Sequence, residues 1–307
     1  LHFGLLSFGN QAERQYGGAG VMVDAPGLTL TIRATERLTA AGPLAARALA
    51  FARQFVQRSE MPAEPACHIE IETAAPEHSG LGTGTQLALA IAAGLDALAG
   101  HPNRDLARWA RLMGRSERSA VGTHGFALGG LLVEGGKLAG EAVSPLVSRI
   151  ELPAAWRFVL LIDREERGLS GAAERQAFAD LPAVPTAATA DLARELLLHL
   201  MPGAASGNVT EFGESLYRYG YQAGMLFAKR QGGPYAGRRA TELVEWVRGQ
   251  GIRGVGQSSW GPTIFALLPD SESAGDFAAA AGKRFAGQPL EVVVAAPANR
   301  GARVELF

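Results

Sequence analysis

Disulfide chemistry, clustered metal ligands, membrane-spanning runs and an excess of either charge are all missing from this sequence. One cysteine, Cys67, occurs in 307 residues, so no intrachain disulfide can form and a reducing cytoplasm is the expected compartment. That cysteine and the six histidines never fall at zinc-ligand spacing. Lys and Arg number 29 against 30 Asp and Glu, a net charge of −1, which leaves no global field to draw nucleic acid or an anionic bilayer. The longest charge-free stretch covers residues 78–95, yet only residues 87–95 are apolar throughout, too short to cross a membrane. Tyr217, Tyr219 and Tyr221 alternate, but within a helical pattern they spread around the axis and build no stacking platform for bases. Neither nucleic acid nor membrane is an expected partner, and any anion site must be local.

What is present describes a packed globule. Apolar residues make up 47% and charged residues 19%, which excludes disorder, and the length suits two domains sharing one crevice. Residues 145–153, bounded by Pro145 and Pro153, mark the expected boundary between an N-terminal domain over 1–150 and a C-terminal domain over 151–307. Leu1 opens directly into the ordered pattern His2-Phe3-Gly4-Leu5, so further residues are expected upstream. Alternation and short apolar runs predict strands over 28–32, 67–71, 131–133, 158–162, 264–268 and 290–294. Helical spacing predicts helices over 87–98, 105–113, 191–200, 211–229, 241–248 and 276–285. Another is opened by Pro43, with Leu44, Ala48, Phe51 and Phe55 on one face. Residues 183–190, rich in Pro, Thr and Ala, read as a linker. The class is α+β.

Two glycine-rich loops carry the chemistry. Pro76-Glu77-His78-Ser79-Gly80-Leu81-Gly82-Thr83-Gly84-Thr85-Gln86 joins a strand to a helix. Its alternating Gly80, Gly82 and Gly84 permit positive φ and turn N–H groups toward one point, where the helix also presents its positive end. A plain strand-to-helix turn would use the same glycines; the polar Ser79, Thr83, Thr85 and Gln86 favour phosphate. This is no Walker loop, because Gly-Lys-Ser/Thr is missing, and no dinucleotide fingerprint, because Leu87 stands where the third glycine belongs. The second loop is Gly254-Val255-Gly256-Gln257-Ser258-Ser259-Trp260-Gly261-Pro262. It is not a hydrolase elbow, since Trp260 replaces the required glycine. Arg115 and Arg118 are three apart and flanked by serines, so one helical turn would aim both at a phosphate; a solvated basic turn would have the same pattern.

Pro76, Gly80, Leu81 and Gly82 match the second motif of the GHMP superfamily of small-molecule kinases, Pro-x-x-x-Gly-Leu-Gly-Ser-Ser, and residues 254–262 resemble its third. Two departures are informative. Thr83-Gly84-Thr85 replaces the kinases' Ser-Ser and small residue, and Ser119-Ala120-Val121-Gly122-Thr123-His124-Gly125 lacks the Asp that many of them use as a base. These segments, together with Leu1-His2-Phe3-Gly4-Leu5-Leu6, Tyr16-Gly17-Gly18-Ala19-Gly20, Gly114-Arg115-x-x-Arg118-Ser119-x-x-Gly122-Thr123 and Gly168-Leu169-Ser170-Gly171-x-x-Glu174, resemble the β-ribofuranosylaminobenzene 5'-phosphate synthase family.

The resemblance covers most of the chain and implies a two-domain GHMP fold with the active site in the cleft between domains. It implies decarboxylating phosphoribosyl transfer from phosphoribosyl pyrophosphate to 4-aminobenzoate or a similar aromatic acid, releasing CO2 and pyrophosphate, in tetrahydromethanopterin synthesis. Mg2+ is the implied cofactor, these small molecules are the implied partners, and a homodimer is compatible with it. The alternative is an ATP-dependent GHMP small-molecule kinase. Within the matched segments the candidate catalytic residues are His2, His78 and Arg118. Candidates for holding substrate and phosphate are Gly80, Gly82, Thr83, Gly84, Thr85 and Gln86 in the first loop, Arg115 and Thr123 after it, and Ser258 and Ser259 in the second loop. Glu174 reads equally as a metal or amine partner or as a solvated helix carboxylate; no metal ligand is assigned.

Overall fold

The computed structural model describes every residue except 11–12, 60–63, 101–104, 169–170 and 307. His101 and the Leu169-Ser170 pair of the Gly168 motif therefore lie outside the described residues. The chain begins with β1 (His2–Ser7), β2 (Tyr16–Val21), β3 (Thr29–Ala34), β4 (Thr39–Ala41), α1 (Ala45–Ser59) and β5 (Cys67–Thr73). Next come α2 (Thr83–Leu98), α3 (Leu106–Leu112), α4 (Val121–Leu128), β6 (Leu131–Glu134) and β7 (Leu146–Ile150). The second half holds β8 (Arg157–Asp163), α5 (Gly171–Ala179), α6 (Thr186–Glu195), α7 (Met201–Ala205), α8 (Val209–Met225), α9 (Ala228–Gln231) and α10 (Gly237–Gly249). It finishes with β9 (Gly254–Gln257), β10 (Thr263–Leu268), α11 (Ser271–Arg284) and β11 (Leu290–Ala295).

The described strands form three sheets, ordered β1-β2-β6-β7, β3-β5-β4 and β11-β8-β10-β9. All pairings are antiparallel except β4 with β5. The continuous apolar run of β8 is explained by burial on both faces. Phe158, Leu160 and Ile162 enter a core shared with β1, β2, β6 and α8, while Val159 and Leu161 enter another with α10 and α11. A third core joins β5, α1, α2 and α3, with Leu87, Ile91 and Leu95 of α2 buried at helical spacing. After β11 the chain returns to the N-terminal half: Ala298 N–H donates to the Met22 carbonyl (2.8 Å) and Ala302 N–H to that of Phe126 (2.6 Å).

Several expected boundaries move. The supposed linker over 183–190 instead starts α6, with Pro185 at its N-cap; a proline is tolerated there because an N–H at a helix start has no intrahelical acceptor to lose, and the Ala-rich run that follows favours helix. The helix expected over 191–200 thus starts earlier and passes through a π-type turn, Leu196–Leu200. The helix expected over 211–229 ends at Met225, before a separate turn of α9. Residues 254–257 are not loop but the edge strand β9, leaving a tight turn at 258–262. Thr123 lies inside α4 rather than in a turn.

Candidate active site

The loop from β5 to α2 is closed from within. The Ser79 and Thr83 hydroxyls both donate to the Pro76 carbonyl, at 2.8 and 3.1 Å, and His78, Gly80 and Gly82 take positive φ of 58°, 86° and 71°. The two glycines serve different ends. A Cβ on Gly80 would run into the Ser258 carbonyl and approach the Gly261 Cα at 2.8 Å, so the second loop is pressed onto the first here; a Cβ on Gly82 would meet nothing. Gly82 is the N-cap of α2, and its carbonyl accepts from Thr85 and Gln86 N–H at 2.9 and 3.1 Å. The N–H groups of Thr83 and Gly84 precede these, the ordinary first-turn donors with no intrahelical acceptor. They open on a cleft of about 1280 Å³ lined by both glycine-rich loops, β1 and the 114–119 segment.

Arg47 on α1 joins them, with its guanidinium against Gly84. It pairs with Glu77 (Nη1 to Oε1, 2.5 Å). Arg47 and Arg115 both lie over the Phe51 ring, at 5.4 and 5.1 Å. Burial, and then the like charge of Arg47, holds the Arg115 guanidinium below its ordinary pKa. Arg47 at the α2 N-terminus, with the like charge of Arg115 near it, is an arrangement able to hold a multiply charged anion.

Arg118 faces a different set of groups. It pairs with Glu174 (Nη2 to Oε2, 2.5 Å) and covers Phe178 at 4.7 Å; Phe178 stacks on Trp260 at 5.2 Å. Burial raises the Glu174 carboxyl above its ordinary range, opposed by the Arg118 charge. The two arginines do not share a helical turn, because Ser116 between them has φ 63° and the segment is irregular.

Several expected ligands already bond their polar groups to the chain. Besides Thr83, the Ser258 hydroxyl is buried, donating to the Gly80 carbonyl (2.8 Å) and accepting from His2 N–H (3.1 Å). Ser259 ties its N–H to the His2 carbonyl (3.0 Å), so the second loop is bolted to β1 and the first loop. Thr123 is buried with its hydroxyl on that of Ser116 (2.8 Å). Gln86 spends an amide N–H on the Gly122 carbonyl (2.8 Å). Thr83, Thr85, Gln86, Ser259 and His78 all line the cleft, whereas Ser258 and Thr123 do not, and the His78 carbonyl accepts from Gly168 N–H (2.8 Å). His2 lines it too, but its Nε2 is buried without a partner; burial lowers its pKa to about 4, so it is neutral near pH 7. Arg47 and the Phe178–Trp260 stack were not legible beforehand. Arg47 follows an ordinary helix pattern one turn before Phe51, and only the fold brings it to the loop.

The GHMP kinases N terminal domain family matches residues 44–130, the span from α1 to the end of α4. Structural neighbours cover nearly everything else. The homoserine kinase of Cytophaga hutchinsonii superposes with a TM-score of 0.66 at 18% identity, over 92% of this chain and 90% of its own. The mevalonate pyrophosphate decarboxylase of Streptococcus pyogenes gives 0.68 at 12% identity, over 99% and 95%. This chain has the GHMP kinase fold. In sequence the chain is also similar, end to end, to the beta-ribofuranosylphenol 5'-phosphate synthase of Methanothermobacter thermautotrophicus, 25% identical over 98% of this chain and 95% of that one. Among its described residues no helix is long and apolar enough to cross a membrane, and no three His, Cys, Asp or Glu side chains are grouped to hold a metal ion.

Proposed function

We propose that this GHMP-fold chain is a decarboxylating phosphoribosyltransferase, which joins the ribose 5-phosphate of phosphoribosyl pyrophosphate to the ring of a para-substituted benzoate. The observation that carries this reading is the convergence of Arg47, Arg115 and the α2 N-terminus on one side of the cleft, with Arg118, Phe178 and Trp260 also lining it. The first group suits a pyrophosphate. Arg118 suits the donor's 5'-phosphate, exchanging its bond to Glu174 for one to the substrate. The exposed part of the Trp260 ring gives an aromatic acceptor a surface to stack on. The name of the Methanothermobacter relative contains a phenol, which favours a para-hydroxyl on the acceptor beside the para-amino group of 4-aminobenzoate. Either substituent pushes electron density onto the carbon that bears the carboxylate.

In the reaction that carbon attacks C1 of the ribose as the C1–oxygen bond to pyrophosphate breaks, the pair leaving with pyrophosphate. The carbon–carboxylate bond then breaks, CO2 departs, and its pair restores the aromatic ring. No proton is needed on the leaving group while Arg47, Arg115 and the Thr83 and Gly84 N–H groups neutralise it, and their aim before reaction is where the stabilisation comes from. Holding ring and sugar in line supplies several kcal/mol more. Mg2+ belongs to this reading, and Glu174, a cleft carboxylate beside Arg118, would supply it an oxygen ligand. When bound it would offset negative charge on the substrate's phosphates. The product's place is tetrahydromethanopterin synthesis.

The test is to incubate the protein with Mg2+, phosphoribosyl pyrophosphate and carboxyl-labelled 4-hydroxybenzoate or 4-aminobenzoate, and to collect CO2. ATP with a panel of small alcohols runs in parallel. CO2 release that needs both substrates supports the proposal. ADP without CO2 replaces it with the kinase alternative.

A further inference from the structure

Behind the cleft lies a carboxylate that the reaction does not touch. Glu134, at the end of β6, is completely buried and has no cation within ion-pair distance among the described residues. Its two oxygens accept from the Ser119 hydroxyl (2.6 Å) and from Ala120 N–H (2.8 Å), the latter at the N-cap of α4. Ser119 Oγ in turn accepts from Val121 N–H (3.2 Å), which directs its proton toward Glu134. At the other end of the same segment, Lys137 Nζ donates to the Ser116 carbonyl (2.6 Å) and the Ser116 hydroxyl meets that of Thr123. Residues 116–120 are thus strapped down at both ends, and the one side chain of the strap that reaches Phe178 and Glu174 is Arg118.

An unpaired buried carboxylate is costly, and burial does raise the Glu134 pKa, with its hydrogen bonds opposing. What it supplies in return is geometry. A backbone N–H can never accept, and with the Ser119 proton directed at Glu134 the two carboxylate oxygens serve both donors at once; the first turn of α4 favours negative charge at the same place. The irregular backbone at Ser116 gives Arg118 no helix to hold it, so its direction depends on these bonds.

We propose that Glu134 is a positioning residue for Arg118, its carboxylate fixing the Ser119–Ala120 backbone so that the Arg118 guanidinium meets the donor's phosphate. The proposal rests on the reading of Arg118 as a donor ligand. It predicts a coupling that a mere structural brace would not produce. Phosphoribosyl pyrophosphate binding is measured by calorimetry, and unfolding in parallel, for wild type, E134Q, R118A and the double variant. R118A is expected to weaken binding ~10- to 100-fold, and E134Q about tenfold, the equivalent of one charge-assisted hydrogen bond. The double variant is expected to bind no more weakly than R118A alone, although E134Q lowers the melting temperature in either background. S119A, which removes one leg of the strap and keeps the core carboxylate, gives a smaller loss that also vanishes with R118A, and it carries the test if E134Q does not fold. Losses that multiply in the double variants, or wild-type binding by both E134Q and S119A, overturn the positioning role and leave the donor reading standing. Wild-type binding by R118A overturns the assignment of Arg118 and the positioning role together.

Discussion

Gly80 and Gly82 are two residues apart, share a left-handed backbone and differ in what surrounds them, so alanine at each separates loop stability from ligand contact. At Gly82, φ is 71° and the added methyl meets no protein atom. The cost is the left-handed strain alone, about 1–2 kcal/mol. At Gly80 the same strain is joined by overlap with the Ser258 carbonyl and the Gly261 Cα, backbone atoms that cannot rotate away, for a total of about 3–5 kcal/mol. With an unfolding entropy of ~2.1 cal/mol/K per residue over 307 residues, each kcal/mol lowers the melting temperature by about 1.5 °C. Gly82→Ala is therefore expected to melt about 2–3 °C below wild type and Gly80→Ala about 5–8 °C below. Binding should run otherwise: the Gly82 methyl projects into the cleft beside the Thr83 and Gly84 N–H groups and should weaken pyrophosphate ~10- to 100-fold despite the small loss of stability. Scanning calorimetry and titration with pyrophosphate measure the two quantities. Equal melting temperatures for the two variants would refute the packing of the second loop onto Gly80, and wild-type pyrophosphate affinity in Gly82→Ala would refute the loop geometry as the source of anion binding.

Arg47→Gln should raise the KM for phosphoribosyl pyrophosphate ~10- to 100-fold in steady-state assays, with less than about 1 kcal/mol lost from stability because its pair with Glu77 is partly solvated; an unchanged KM removes Arg47 from the site. Arg118→Lys keeps the charge and loses both the planar fork and the stacking on Phe178, so donor use should fall by about one to two powers of ten; if the acceptor KM alone rises, the guanidinium holds the benzoate carboxylate instead. The His2 pKa lies near 4 in the folded chain against 6.5 ordinarily. Between those values the unfolded chain takes up the proton and the folded chain does not, so stability is complete above pH 6.5 and falls as pH drops toward 4, by up to ~3 kcal/mol. His2→Asn should flatten that part of the denaturant-midpoint profile, and an unaltered profile would show that His2 is not the group responsible.

Much of the fold can be read from residue order because period and φ are settled within a few neighbours. The double-faced run of β8, the helical spacing of Leu87, Ile91 and Leu95, and the left-handed Gly80 and Gly82 of the first loop each reflect a local rule, and each is found where that rule puts it, whereas Gly84 is taken into the first turn of α2. The cleft residues divide on the same ground. Gly82, whose role needs only its own backbone angles, was legible; the destinations of the hydroxyls were not. Ser258 meets a carbonyl 178 residues away and Thr83 one seven residues back, and nothing in a Ser-Ser or Thr-Gly-Thr run says whether its oxygen will face ligand or chain. Arg115 and Arg118 were expected on one helical turn, but the left-handed Ser116 sends them to Phe51 and Phe178. Arg47 and Glu134 carry no local mark at all. The sequence by itself determined many of the elements and the left-handed turn of one loop, through constraints each residue meets alone. Which cations and carboxylates surround that loop was decided only by tertiary packing, since a side chain's partner is chosen among groups that approach once distant segments have closed on one another.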